Sequence, residues 1–320
     1  MVKEQLQDMK DDEILYLVEQ MSDEEYLYHE EVKCYTNEGS PSDLAYERVH
    51  HFRDANMLPI LNTLLDKVKQ AEQKQHLYFM IGTIGVNSGD VRAGMLLLEK
   101  LEQETKPSLL ESILEEIAKQ RCIPDTERIV KYIDDSRSSV REAAIQALRA
   151  CRDEIAEDAL IRLITTSNNS FDIMSANFVL ATIGTERAVP YLTPLLDHSR
   201  GDVRHSALVA LSNLGDKSHL PIFVNGLEDR SGNVKEYALV AIERHGDEVA
   251  IEPVIKRLQI LLKRKRQIQT DEVIIALRFL YRYQHSSQAI PKLFHWIIQT
   301  KKELLFDEEW QWLEDHFTFY

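Results

Sequence analysis

Residues 187–215 read RAVPYLTPLLDHSRGDVRHSALVALSNLG, and this stretch decides the fold. Its apolar residues recur at intervals of three and four, which is typical of amphipathic helices. A first helix is predicted to begin near Pro190, because proline is tolerated in the first turn. A second, more apolar helix follows from Val203 and is predicted to end at Gly215, in the left-handed conformation that glycine adopts readily.

The same unit recurs along the chain. Alanines return at a nearly constant step, and large apolar residues, glycines and prolines follow the same step. These positions are Ala144, Ala176, Ala207 and Ala238; Leu148, Leu180, Leu211 and Ile242; Gly184, Gly215 and Gly246; and Pro190, Pro221 and Pro253. A fixed period of about 30 residues marks one supersecondary unit that buries its apolar face by stacking on its neighbours. The period predicts an all-α, right-handed solenoid of about eight antiparallel helix pairs.

Four segments are predicted along this array. An acidic helical cap over 1–43 contains one or two helices and ends in a loop at 36–43, and divergent helical repeats follow over 44–124. Regular repeats occupy 125–258, and further repeats with an aromatic cap occupy 259–320. No strand-like alternation of useful length is seen, so no strand is predicted.

The composition narrows the function classes. The net charge is −15, which opposes sequence-independent binding to nucleic acids. Three distant cysteines, no leader-like start and no membrane-length apolar run lead us to expect a cytoplasmic protein that does not enter the membrane. The charge is uneven: residues 1–60 hold 15 acids against 5 bases, whereas residues 249–302 hold 11 bases against 3 acids.

Residues 125–258 resemble the short HEAT repeats of phycocyanobilin lyase subunits and of many bacterial scaffold proteins. The resemblance rests on the pattern D-(x)6-R/K-x-x-A-x-x-A/V-L/I. Such repeats place an acid–base ladder between successive loops. Here the matching positions are Asp134 with Arg141, Asp197 with Arg204, and Glu228 with Lys235. The unit containing Ile173 departs from the pattern.

No catalytic, cofactor-binding or metal-binding set is found in the sequence. Deoxyhypusine hydroxylases, which resemble this chain in fold, use repeated His-Glu dyads to hold iron, and the matching positions here contain none. The basic run Lys263–Arg266 is interpreted either as a solvated helix end or as a site for an acidic partner. The C-terminal aromatics, which include all three tryptophans, are interpreted either as a cap or as a docking surface.

We therefore expect a non-enzymatic scaffold or adaptor that holds a protein or peptide, possibly a basic one, on a concave surface formed by the second helices. The sequence predicts neither the partner's identity nor an oligomeric state. Two alternatives stay open: a HEAT-like nucleic-acid base-excision enzyme, and an inhibitor or immunity-type protein for a basic partner. The residues expected to face solvent and bind the partner are Arg141, Glu142, Gln146, Arg204, His205, Lys235, Glu236 and Tyr237.

Overall fold

The structure is a computed structural model that describes residues 11–23, 25–30 and 33–317. The described residues divide into two compact units, one ending at Thr166 and the other beginning at Ser167. This division falls inside the segment whose repeats are most regular in sequence. The four segments predicted above stay a prediction.

Helices dominate the first unit. Its α-helices are α1 (Asp11–Met21), α2 (Pro41–His50), α3 (Leu58–Lys67), α4 (Ala71–Ser88), α5 (Val91–Gln103), α6 (Pro107–Ala118), α7 (Glu127–Val130), α8 (Ser138–Ala147) and α9 (Glu154–Thr166). Helices α3/α4, α5/α6 and α7/α8 form successive pairs, and the second helices α4, α6 and α8 pack side by side in one layer.

The second unit repeats this plan. Its helices are α10 (Ser170–Ile183), α11 (Val189–Leu192), α12 (Gly201–Leu214), α13 (Leu220–Gly226), α14 (Gly232–His245), α15 (Ile251–Leu261), α16 (Glu272–Arg282), α17 (Ala289–Thr300) and α18 (Asp307–His316). Helices α10, α12, α14 and α16 form one layer, and α11, α13 and α15 each pack against the helix that follows. The predicted all-α repeat solenoid is confirmed.

The alanines in register are fully buried. Ala144 lies in the first unit, and Ala176, Ala207 and Ala238 lie in the second, each with 0% of its surface exposed. A methyl group in the middle of each second helix lets neighbouring helices approach closely, so that the large apolar residues one turn later also become buried. The sequence period therefore corresponds to the contact between successive second helices.

Gly215 does not adopt the predicted left-handed conformation. Its φ is −84°, and the chain leaves α12 extended. Glycine is required there for space, because a Cβ would lie 2.6 Å from the carbonyl oxygen of Leu211. Gly184 and Gly246 meet the same obstacle one repeat away, which explains their period. The left-handed helix end occurs instead at Gly89, which closes α4 with φ 70°.

The N-terminal region differs from its prediction in two ways. After α1, residues Leu27–His29 and Cys34–Thr36 form a short antiparallel hairpin, so the expectation of no strands was wrong. The predicted loop at 36–43 is shorter, because Pro41 begins α2 and the Ser40 side chain accepts a hydrogen bond from the Asp43 N–H. Residues 1–10 of the predicted cap lie outside the described residues.

The basic run and the C-terminal aromatics take part in packing within the second unit. Lys263 to Lys265 are exposed, whereas Arg266 forms a two-pronged ion pair with Glu309, which is 0% exposed. The Phe317 ring lies 4.7 Å from that of Phe294. These contacts fasten the terminal helix α18, and residues 318–320 of the aromatic tail lie outside the described residues.

Candidate functional site

The predicted partner-binding residues all lie on second helices, but in two different units. Arg141, Glu142 and Gln146 are on α8 of the first unit. Arg204 and His205 are on α12, and Lys235, Glu236 and Tyr237 are on α14, both in the second unit. We call the partly exposed side of these layers the second-helix face, and we describe it separately in each unit.

In the first unit, the second-helix face forms an open groove of about 530 Å³ between α6 and α8. Glu142 and Gln146 of the predicted set line it. Arg141 does not, since its guanidinium donates to the backbone oxygens of Asp135 and Ser136. The groove is lined by Glu111, Glu115, Ala118, Lys119, Ser139, Glu142, Ala143, Gln146 and Arg149.

A chain of side-chain hydrogen bonds orders the α8 wall of this groove. Gln146 donates to Glu142 over 3.1 Å, and Arg149 donates to Gln146 over 2.8 Å. The opposite wall, on α6, was not predicted from the sequence, although the repeat period could have identified its residues. Glu111 and Glu115 lie one repeat before Glu142 and Gln146, respectively, and so occupy the same two positions of the unit.

A second, smaller pocket of about 280 Å³ lies beside α4 and α6. Glu116, which lines it, is 5% exposed and accepts a hydrogen bond from the Lys119 ammonium over 2.6 Å. Its other carboxyl oxygen has no hydrogen-bond partner and packs against Gly82. A Cβ on residue 82 would collide with this oxygen, so only glycine fits there. Lys119 also lies 5.5 Å from the centre of the Phe79 ring.

Burial raises the pKa of the Glu116 carboxyl to about 7. The hydrogen bond and charge of Lys119 act in the opposite direction but are smaller, and the nearby carboxylate of Glu115 adds slightly to the rise. A carboxyl group with this pKa changes charge near neutral pH, so the pocket carries a pH-dependent charge.

One serine–histidine contact also lies in the first unit. His76 is 8% exposed, with one ring nitrogen 3.1 Å from the Ser22 hydroxyl and the other 3.1 Å from the Tyr46 hydroxyl. Burial lowers the pKa of His76, which favours its neutral form. A neutral imidazole donates from one nitrogen and accepts at the other, so both hydroxyls can be satisfied. These contacts tie the turn after α1 to α2 and α4.

In the second unit, the second-helix face carries three aromatic rings on three successive second helices. Phe178 on α10, His205 on α12 and Tyr237 on α14 are each half-buried. The ring of His205 lies 6.2 Å from that of Phe178 and 5.5 Å from that of Tyr237, both edge to face. We call this set the aromatic row. Burial lowers the pKa of His205, so the row is uncharged at neutral pH.

Phe178 was not predicted to belong to this row, and the period does not reveal it. Met174 lies one repeat before His205, and Ser206 lies one repeat before Tyr237. No two rings of the row therefore occupy the same position within the repeat. The row runs obliquely across the helices, and only the packing of the helices brings its members together.

Arg204 is the clearest error in the predicted set. We expected it to face solvent, but its side chain is 4% exposed. It donates to both carboxylate oxygens of Asp229 over 2.8 Å and to the backbone oxygen of His198. Lys235 and Glu236 are half-buried, and burial raises the pKa of Glu236. Sequence spacing places residues on a helix but does not tell whether a long side chain folds back under the next loop.

Ion pairs do link successive repeats, but each joins a helix residue to a loop residue, and the partners differ from those predicted. Arg204 pairs with Asp229 in the following loop. Asp134 instead accepts from Arg162, and Glu228 from Lys256, in each case from a residue almost one repeat further along. The Glu228–Lys256 pair is about two-thirds exposed and contributes little to stability.

The described residues hold neither a group of metal ligands nor a membrane-spanning helix. No three His, Cys, Asp or Glu side chains in this part of the chain are grouped so that they could hold a metal ion. Within the same residues, every helix is too short or too polar to cross a membrane.

The layered helix pairs define the chain as an all-α helical-repeat solenoid. Residues 126–212 match the HEAT-repeat family. This match falls within the regular repeats at 125–258, where the sequence pattern resembles HEAT repeats.

Several solved structures resemble the chain at low identity. An engineered protein is 18% identical, with 92% of this chain and 86% of that chain covered and a TM-score of 0.47. The complex of CpcE and CpcF of phycocyanin lyase from Nostoc sp. PCC7120 is 19% identical, with 77% and 94% covered and a TM-score of 0.44. Human deoxyhypusine hydroxylase in complex with glycerol is 16% identical, with 73% and 96% covered and a TM-score of 0.30. No curated protein matches the chain in sequence.

Proposed function

We propose that the chain is a non-enzymatic scaffold or adaptor that acts in the cytoplasm and binds a protein or peptide on its second-helix face. The observation that carries this proposal is the aromatic row of Phe178, His205 and Tyr237. HEAT repeats present extended surfaces of this kind, which suit a large and shallow contact.

The aromatic row suits the centre of a protein interface. Large aromatic side chains bury much area at a low cost in conformational entropy, and they are enriched among the residues that dominate binding. Because burial keeps His205 neutral, the row offers an uncharged strip to apolar or aromatic side chains of a partner.

The charge of the chain favours a basic partner over a nucleic acid. The net charge is −15, and the charged residues that line the groove in the first unit comprise three carboxylates against two cations. A base-excision enzyme needs a basic surface along the duplex, because phosphate contacts supply most of the affinity. The groove carries no excess of cations, which argues against that alternative.

An inhibitor of a basic protein is a second candidate, favoured by the 15 acids against 5 bases in residues 1–60. Electrostatic complementarity of this kind accelerates association with a basic surface. Tight binding to a single partner in a one-to-one complex would favour an inhibitor, whereas several partners of moderate affinity would favour a scaffold.

The test is affinity capture with three versions of the intact chain from cells that produce it. The first is the wild type, and the second carries His205→Ala with Tyr237→Ala. The third carries Tyr191→Ala as a matched control, because Tyr191 is 47% exposed on the first helix α11. Arg204 is left unchanged, since its loss would disturb the fold rather than the surface.

We expect one protein to be captured by the wild type and the Tyr191 control and lost by the double variant. The purified pair should then show at least a tenfold loss of affinity with the double variant, because truncation of an interface aromatic typically costs about 1–2 kcal/mol or more. Equal capture by all three versions would reject the aromatic row as the binding site. Capture of nucleic acid only would reject the scaffold itself.

A further inference from the structure

The hairpin of Leu27–His29 and Cys34–Thr36 presents tyrosines on its outer side. Tyr28 pairs with Tyr35 across the two strands, and their ring centres lie 5.2 Å apart. Tyr28 is 52% exposed and Tyr35 is 70% exposed, whereas their strand neighbours Leu27 and Thr36 are half-buried. Tyr26, one alternation before Tyr28, is 61% exposed. We call Tyr26, Tyr28 and Tyr35 the tyrosine face.

A solvent-facing sheet surface normally carries polar residues, so this face is unusual. Successive side chains of a strand point to opposite sides, and here the aromatic pair points outward. A two-stranded hairpin is also only marginally stable without a further layer against it. Tyrosine gives a large contact area with little loss of rotamer freedom, which is why it is enriched in binding surfaces. The hairpin therefore has the surface of a docking site.

The charge around the tyrosine face indicates what it binds. Asp23, Glu25, Glu30 and Glu38 carry carboxylates in the same segment, and Lys33 is its one lysine or arginine. Their excess of negative charge attracts a basic group and repels an acidic one. Tyrosine rings also attract cations over their faces, and the planar guanidinium of arginine stacks on them better than the ammonium of lysine does.

We propose that the tyrosine face docks an arginine-bearing segment of a partner protein. Guanidinium groups stack on Tyr28 and Tyr35, while the neighbouring carboxylates accept hydrogen bonds from them. This surface is separate from the aromatic row, and the proposal does not depend on the function proposed above. It supplies a second point of attachment with its own specificity for the side chain.

The probes are a fluorescein-labelled oligo-arginine peptide and an oligo-lysine peptide of equal length, titrated with the intact chain and followed by fluorescence anisotropy. The test variant carries Tyr28→Thr with Tyr35→Thr, because threonine keeps the strand propensity and both positions are exposed. Tyr191→Thr, also at an exposed tyrosine, is the matched control. The His205→Ala, Tyr237→Ala variant separates this test from that of the proposed function. Far-UV circular dichroism checks that all versions are folded.

We expect the wild type to bind oligo-arginine more tightly than oligo-lysine. The double hairpin variant should bind oligo-arginine about tenfold more weakly and lose the preference for arginine, since two cation–π contacts are removed. The two control versions should behave like the wild type. Equal affinity of the wild type for both peptides would overturn the proposal, because it would leave the carboxylates as the sole attraction. Unchanged binding by the hairpin variant would overturn it as well.

Discussion

Replacing Glu116 with glutamine should remove a pH dependence of stability from the first unit. Burial raises the pKa of this carboxyl from its ordinary value of 4.5 to about 7 in the folded chain. Between these two values the folded state holds a proton that the unfolded state has released, so the free energy of unfolding falls as pH rises. The stabilisation is complete below about pH 4.5 and is lost as pH rises through about 7. Glutamine has nearly the same shape and does not ionise.

The size of the effect follows from the two pKa values. They differ by about 2.5 (7 − 4.5), and each pH unit corresponds to about 1.4 kcal/mol, so the wild type should lose roughly 3 kcal/mol between acid and alkaline pH. Glu116 is 5% exposed, so solvent screening removes little of this. The Glu116→Gln variant should therefore exceed the wild type in stability by less than about 1 kcal/mol near pH 5 and by up to about 3 kcal/mol near pH 8.

Urea unfolding followed by far-UV circular dichroism at about pH 5 and about pH 8 measures this difference, because other titrating groups contribute equally to both proteins. Glu115→Gln, at an exposed position one residue earlier, is the matched control and should reduce the pH dependence only slightly, because Glu115 is the smallest of the causes that act on the pKa of Glu116. A Glu116→Gln variant with the same pH dependence as the wild type would refute the reasoning. So would a variant less stable than the wild type at pH 8, since the Lys119 pair would then outweigh the cost of burial.

Two buried ion pairs of the second unit give further predictions. Arg204→Ala should lower the free energy of unfolding by about 3 kcal/mol, because it leaves the Asp229 carboxylate without its cation. Lys235→Ala, at a half-buried position, should lower the free energy of unfolding by less than about 1 kcal/mol. Similar losses in urea unfolding for both variants would contradict the assignment of Arg204 to the core. Arg266→Ala should release α18, seen as a red shift of tryptophan fluorescence and faster amide exchange in that helix, while Arg264→Ala at an exposed position should change neither. An α18 that stays protected after loss of Arg266 would show that the aromatic contacts hold it without the ion pair.

The repeat architecture could be predicted because it depends on local periodicity. The alanines that recur once in each repeat are buried at the contacts between second helices, and the glycines of the same period leave room for the end of each helix. Such positions are set by which face of a helix is apolar, and that is readable from spacing. The hairpin near Tyr28 escaped prediction because its strands are three residues long and are not marked by alternating apolar residues.

The candidate site was predictable only in part. Glu142 and Gln146 do line a groove, and His205 and Tyr237 do stand side by side. Arg204 looked equivalent to these residues in sequence, yet it is buried because Asp229 of the next loop closes over it. The burial that raises the pKa of Glu116 likewise comes from another helix, which packs against it at Gly82. No sequence pattern near Glu116 predicts this burial.

The sequence by itself determined that this chain is a stack of helix pairs, and it determined which small and large apolar residues lie inside. Those properties follow from the spacing of residues within one helix and from their return one repeat later on the same chain. Only the tertiary structure decided which charges are buried, that Phe178 joins His205 and Tyr237 in one row, and that tyrosines cover the outer side of a hairpin. Such contacts depend on how neighbouring helices and loops pack, because side chains far apart in sequence meet only through that packing.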